Sequence, residues 1–207
     1  MTLDSRLLAN DSDKVDKRHD IARDLARRYG TLTREQMEQL AQLLMPVRLR
    51  RRQLLLDAGS VCENLYYVER GLLRLFYNKN GKELTEHIGS EGSIVMCIES
   101  LFRHVPSHLT IEALEPSTVY AIPYGPLVQM CESSYAFCHI LMAILQESLI
   151  VSQHKADTLR YETAQERYRR TLHDLPDLVR RAPLHILASY LQMTPETLSR
   201  VRALEVE

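Results

Sequence analysis

APLHILASYLQMTPETLSRVRALEVE, residues 182–207, has the spacing of two short helices joined by a tight turn. Pro183 suits the first position of the first helix, where a missing N–H costs nothing, and Leu184, Leu187, Ala188 and Leu191 recur at the interval of one helical face. Gln192 and Met193 make the turn. Three consecutive residues mark the start of the second helix. The Thr194 hydroxyl can cap it, Pro195 fits its first position, and Glu196 sets a negative charge at the positive end of its dipole. Leu198 and Val201 then face one side, with Leu204 or Glu205 next along it, and Glu196, Thr197, Ser199, Arg200 and Arg202 face the other. Such a helix has the polar outer face needed to lie in a DNA major groove and address base edges with its first turns. By spacing alone, the stretch also fits an amphipathic helical hairpin whose polar side is only solvated.

Upstream lies ERYRRTLHDLPDLVRRAPL, residues 166–184. With ILASYL (186–191) and TPETLSR (194–200), it resembles the C-terminal domain of the Crp-Fnr transcription regulators, the family of the cyclic AMP receptor protein. The resemblance extends from about Met37 to Arg202. Its most specific part is Glu196-Thr197-Leu198-Ser199-Arg200, which matches the E-x-x-S-R pattern by which the Fnr-like branch reads DNA. Gln192 stands where that family usually has a glycine, so a residue with a side chain must take a conformation that glycine adopts more cheaply. The resemblance implies an α+β protein: an N-terminal β-roll of the cyclic-nucleotide-binding type, an antiparallel barrel, then a long dimerisation helix and a C-terminal helix-turn-helix.

Composition sets bounds on this expectation. With 45% apolar residues, a chain of 207 can bury one good core or two modest ones. No run of eighteen apolar residues is present, and the start MTLDSRLLANDSDK has no apolar stretch of the secretory kind, so neither a membrane span nor a signal is expected and the location is cytoplasmic. Cys62, Cys97, Cys131 and Cys138 form no C-x-x-C pair, which fits reduced, buried thiols better than a zinc site. The net charge of −1 argues against strong non-specific DNA binding, but arginines 160, 167, 169, 170, 180, 181, 200 and 202 could still form a local basic face.

Residues 1–30 read as a polar helix with Ile21, Ala22 and Leu25 on one side. Thr33-Arg34-Glu35-Gln36 has capping-box spacing, and Met37, Leu40, Ala41 and Leu44 continue the helix until Pro46. From Arg48 to Ile122 the pattern changes to short apolar runs at 53–56, 65–68, 72–77, 83–88, 109–113 and 118–122, broken by turn residues. That spacing indicates a small antiparallel barrel or sandwich. Asn80-Gly81 is its strongest turn signal. Past Gly125-Pro126 comes a short helix over 127–132, then a long one over 136–158 whose apolar residues cover more than one face. One side is expected on the roll and another on a second subunit, with Phe137, Ile140, Ile144 and Val151 in the dimer seam; a helix fully buried within one chain is the alternative. Thr163 to Glu166 forms a second capping box, placing the hinge at 159–162. The domains are therefore 1–132 for the sensor, 133–160 for the dimerisation helix and hinge, and 161–207 for DNA binding.

Cyclic-nucleotide receptors of the family hold the ribose with a Gly-Glu pair and the phosphate with an arginine followed by a small hydroxyl residue. Here Met96-Cys97 and Ser107-His108 fall at those places. A cyclic phosphate would lose charge-assisted hydrogen bonds of about 1.5–3 kcal/mol each, so cyclic AMP is not the expected effector. If the roll keeps a small-molecule effector, its pocket is expected around Met96, Cys97, Arg103, His104, Ser107 and His108. The N-terminal cysteine cluster of the iron–sulfur branch is absent. His87, His104 and His108 lack partners at metal-ligand spacing and are expected as ordinary histidines, so no metal and no cofactor are assigned. No nucleophile–base arrangement or phosphate loop indicates an enzyme.

The preferred reading is a homodimeric, sequence-specific regulator binding an inverted repeat in double-stranded DNA, without a membrane partner. Arg200 would donate to guanine and Glu196 would accept from cytosine. Ser199 and Thr197 would make shorter contacts, Thr194 would cap the helix, and Arg202 would sit on the backbone. Only five residues follow Arg202, too few for the β-hairpin wing common in the family, and Glu205 and Glu207 are expected to fray from the groove. The other reading is a ligand-binding β-roll sensor whose helical tail contacts a protein.

Overall fold

The structure, a computed structural model, describes residues 14–205. Helix α1 (Lys14–Tyr29) buries Ile21, Ala22 and Leu25 as its spacing predicts, and the part of that predicted helix before Lys14 lies outside the described residues. Thr33 caps α2 (Arg34–Leu43) through the full capping box: its hydroxyl accepts from Gln36 N at 3.2 Å, and Gln36 Oε1 accepts from Thr33 N at 2.8 Å. Pro46 does not end this helix. It lies within β1 (Met45–Leu49), a strand that among the described residues pairs only with β8 (Ser117–Pro123), and an edge position tolerates its missing N–H.

The remaining strands are β2 (Leu54–Leu56), β3 (Asn64–Arg70), β4 (Leu73–Lys79), β5 (Lys82–Gly89), β6 (Ile94–Val95) and β7 (Thr110–Ala113), with the short helix α3 (Ile98–Arg103) between the last two. They form two four-stranded antiparallel sheets, ordered β1-β8-β3-β6 and β2-β7-β4-β5. The Asn80-Gly81 turn has φ of 55° and 81°, and the Asn78 side chain accepts from Gly81 N at 2.8 Å. Gly71 is required at its position, because φ is 109° and a Cβ would lie 2.1 Å from Ser117 Oγ.

Helix α4 runs Tyr124–Ser133, so Gly125-Pro126 opens it instead of preceding it; a proline in the first turn removes no helical hydrogen bond. The long helix α5 (Tyr135–Tyr161) is long and apolar enough to cross a membrane by length and composition. Its Phe137, Ile140, Leu141 and Ile144, however, join a core shared with α1, α2, α4 and the roll.

Thr163 and Glu166 complete the second capping box at the start of α6 (Ala164–Asp174). Then follow α7 (Pro176–Arg181), α8 (Leu184–Tyr190) and α9 (Pro195–Leu204). Pro183 stays outside α8 in an extended conformation with ψ of 141°, so the helix starts one residue later than expected. As a result Leu184 is 36% exposed, and Ile186 points inward beside Leu187, Ala188 and Leu191. These residues share a second core with Tyr168, Leu178, Val179, Leu198 and Val201. Leu72, Ile88 and Leu114 of the roll also belong to it, so the C-terminal helices are seated on the outer face of the β4–β5–β7 sheet. Thr85 N donates to Ser189 Oγ across this contact at 2.9 Å.

Candidate nucleic-acid interface and effector cavity

Thr194 stands in an extended conformation before α9, and its hydroxyl accepts from Thr197 N at 3.2 Å. It is a helix cap, and Thr197 is half-buried beside it with its own hydroxyl 3.2 Å from that of Thr194. Leu198 and Val201 anchor the helix in the second core. Glu196, Ser199, Arg200 and Arg202 are exposed. Glu196, Ser199 and Arg200 have the i, i+3, i+4 spacing of one helical face. The backbone N–H of Glu196 and the Thr194 hydroxyl hold the Glu196 carboxyl below its usual range, so it remains an acceptor near neutral pH.

The turn before α9 has Gln192 at φ 51°, the left-handed conformation implied by the glycine that the resembled family usually has there. Arg167 braces this turn. Its Nε donates to Leu191 O at 2.9 Å, and its Nη1 donates to Glu162 O at 2.7 Å. Other arginines considered for a basic face serve the fold in the same way. Arg169 pairs with Glu205, Arg170 with Glu162, Arg180 with Asp177, and Arg181 with Glu91 and Glu115. Among the described residues, Arg160, Arg200 and Arg202 form no ion pair. Glu205 does not fray: the 2.9 Å pair with Arg169 and a hydrogen bond from Gln165 hold it against α6. Glu207 lies outside the described residues.

A cavity of about 380 Å³ opens between the roll, α1 and α5. Of the six residues expected around an effector pocket, only Met96 lines it. Cys97 is buried; contact with Cys62 and burial push its thiol pKa up. Ser107 turns inward and donates to Leu109 O at 2.9 Å. Arg103 and His108 are exposed beside Glu99, and His104 sits outside at the left-handed end of α3. The polar residues that do line the cavity come from distant segments, among them Arg28 and Tyr29 of α1, Glu86 and His87 of β5, Glu91, and Glu147 and Lys155 of α5. No local spacing in the sequence links them. Lys155 pairs with Glu86 at 2.7 Å; Arg28 lies 3.9 Å from Glu147 and donates to Gly92 O. Burial, reinforced by Lys155, pushes the His87 pKa down to about 4. Among the described residues, no group of three or more His, Cys, Asp or Glu could hold a metal ion.

The expected dimer-seam residues divide sharply. Phe137, Ile140 and Ile144 are 1%, 2% and 3% exposed within the single chain and are unavailable to a second subunit, because this face of α5 covers α1 and the roll. Val151 is exposed, together with Met142, Leu149 and Ile150.

Residues 46–134 match the cyclic nucleotide-binding domain. Solved structures align over both the roll and the helical part. FixK2 from Bradyrhizobium japonicum aligns with a TM-score of 0.65 at 19% identity, covering 78% of this chain and 83% of that one. The chain has the Crp-Fnr fold. A regulator of the Crp-Fnr family from Eubacterium rectale, described as putative, shares that fold with a TM-score of 0.65 at 16% identity, covering 84% of each chain. CLP from Xanthomonas campestris, described as a c-di-GMP responsive global regulator, gives 0.64 at 22% identity, covering 82% of this chain and 90% of that one. No curated protein sequence matches significantly. Within the Crp-Fnr fold, the cavity lies between roll and long helix, and α8–α9 form the helix-turn-helix.

Proposed function

We propose that the chain is a sequence-specific DNA-binding transcription regulator, cytoplasmic and non-enzymatic, that acts as a homodimer. One observation carries this reading: α9 is capped and anchored from within, yet presents Glu196, Ser199 and Arg200 outward on one face, with Arg200 engaged in no ion pair among the described residues. A rigid helix presenting an unengaged guanidinium and a carboxylate can read guanine and cytosine edges in a major groove. Residues 1–132 serve as the sensor, 133–160 as dimerisation helix and hinge, and 161–207 as the DNA-binding part. Met142 and Leu149, seven residues apart on α5 with Ile150 beside them, supply exposed apolar side chains for the second subunit, whereas Val151 lies on the side of the helix that lines the cavity.

The test is selection from a pool of random duplexes by the purified full chain. The expected outcome is an inverted repeat with half-sites about one helical turn apart. Retention of the pool without enrichment of any sequence would overturn the proposal.

A further inference from the structure

We propose that the cavity between roll and α5 binds an uncharged, predominantly apolar small molecule anchored by a hydrogen bond to His87, and excludes cyclic nucleotides and other anions. This rests on the reading of the roll as the sensor of a regulator, and it specifies the ligand class.

Size and lining come first. About 380 Å³ lies within the usual range for small-molecule sites, and Leu75, Ile94, Met96, Leu109 and Ile144 give the cavity apolar walls. The charges on the walls are neutralised in place. Glu86 holds Lys155 at 2.7 Å, Glu91 holds Arg181 at 2.8 Å, Glu99 holds Arg103 at 3.4 Å, and Glu147 lies 3.9 Å from Arg28. Both cations of the lining are therefore already engaged. A phosphate or carboxylate entering the cavity would have to break these pairs while facing the carboxylates it displaced, in a partly desolvated space where unpaired charge is costly. A cation finds no carboxylate left without a partner. An uncharged ligand meets neither obstacle.

Two polar side chains of the lining have no hydrogen-bond partner among the described residues, the exposed Ser152 and the half-buried His87. His87 is held neutral by burial and by Lys155, so its ring offers one donor and one acceptor. Ser93 and Ser148, by contrast, already donate to Ser90 O and to Ile144 O at 3.0 Å. A half-buried polar group facing the cavity gains from a partner when it has none, which makes His87 the anchoring point for a ligand hydroxyl, amine or carbonyl.

Two fluorescent probes with one skeleton test the charge rule on the full-length protein. Phenylnaphthylamine is uncharged, and anilinonaphthalene sulfonate carries an anionic group. The uncharged probe is expected to bind once per chain and about tenfold or more tighter than the sulfonate, with no displacement by cyclic AMP. His87→Leu should weaken it about fivefold, the loss of one hydrogen bond. Leu109→Trp should abolish binding by filling the cavity. If that variant does not fold, Ile98→Trp, at an exposed rim position, replaces it. Failure of the uncharged probe to bind, equal or tighter binding of the sulfonate, displacement by cyclic AMP, or unchanged binding in a folded Trp variant would each overturn the proposal. Duplex selection is measured separately. An inverted repeat recovered from a protein that rejects the uncharged probe removes the ligand class and leaves the regulator; probe binding without sequence selection does the reverse.

Discussion

Glu91, on the cavity rim, and Arg181, at the end of α7, are joined by two hydrogen bonds of 2.8 Å that tie the roll to the C-terminal helices. Glu91 also accepts from Gly71 N at 2.8 Å, and Arg181 reaches Glu115. The Arg181 guanidinium holds the Glu91 pKa at about 2, below 4.5. A carboxylate with a depressed folded pKa stabilises the fold fully above 4.5, and the gain is lost as pH falls toward 2. Glu91 is 41% exposed, so solvent screening limits the contribution to about 1 kcal/mol. Urea unfolding of Arg181→Ala should show a loss of about 1–2 kcal/mol at neutral pH. The variant should also lose the part of the acid slope between pH 4.5 and 2 that Glu91 supplies.

His87 acts in a higher window. Its folded pKa of about 4 lies below the ordinary 6.5, so the unfolded chain takes up the proton first. Stability from this group is therefore complete above pH 6.5 and declines as pH falls toward 4. Lys155 adds to the decline by repelling the imidazolium, and Glu86 opposes it. Thermal melts of His87→Asn across this range should show a flatter slope than the parent protein.

Gln192 shows how much of the site could be read in advance. It stands where the resembled family usually has a glycine, which implied a glycine-like conformation, and the backbone has φ 51° there. Local chemistry of this kind was legible throughout: both capping boxes, the Asn80-Gly81 turn and the exposed Glu196, Ser199 and Arg200. The cavity was not. Arg28, His87, Glu147 and Lys155 meet only after the roll closes against α1 and α5, and no spacing along the chain marks them. Ile144 was misassigned to a dimer seam for a related reason: apolar periodicity shows that a helix face is buried without saying against what. Arg167 and Arg181 read as a basic face, whereas tertiary contacts with Leu191 O and Glu91 turn them into braces.

Gln192→Gly should relieve the left-handed strain. The relief of about 1–2 kcal/mol is partly offset by the greater flexibility of unfolded glycine, so the melting temperature should rise by the equivalent of up to about 1 kcal/mol. Arg167 binds backbone carbonyls in this turn, so its contacts survive the substitution.

Leu149 is 69% exposed on α5, so an aspartate there should leave the single chain folded. In sedimentation, Leu149→Asp is expected as a 24.0 kDa species where the parent runs as a dimer. Ile144→Asp, inside the chain's own core, should instead lower the melting temperature sharply, because it buries an unpaired charge.

Direct base reading by α9 is tested most directly by comparing the sites selected from random duplexes by the parent protein, Arg200→Ala and Arg202→Ala. Arg200→Ala should cost about 1–3 kcal/mol and relax preference at one base pair in each half-site. Arg202→Ala should weaken binding to all sequences alike and lower the salt dependence. An unchanged selected motif in Arg200→Ala would contradict the assignment of α9 to base recognition.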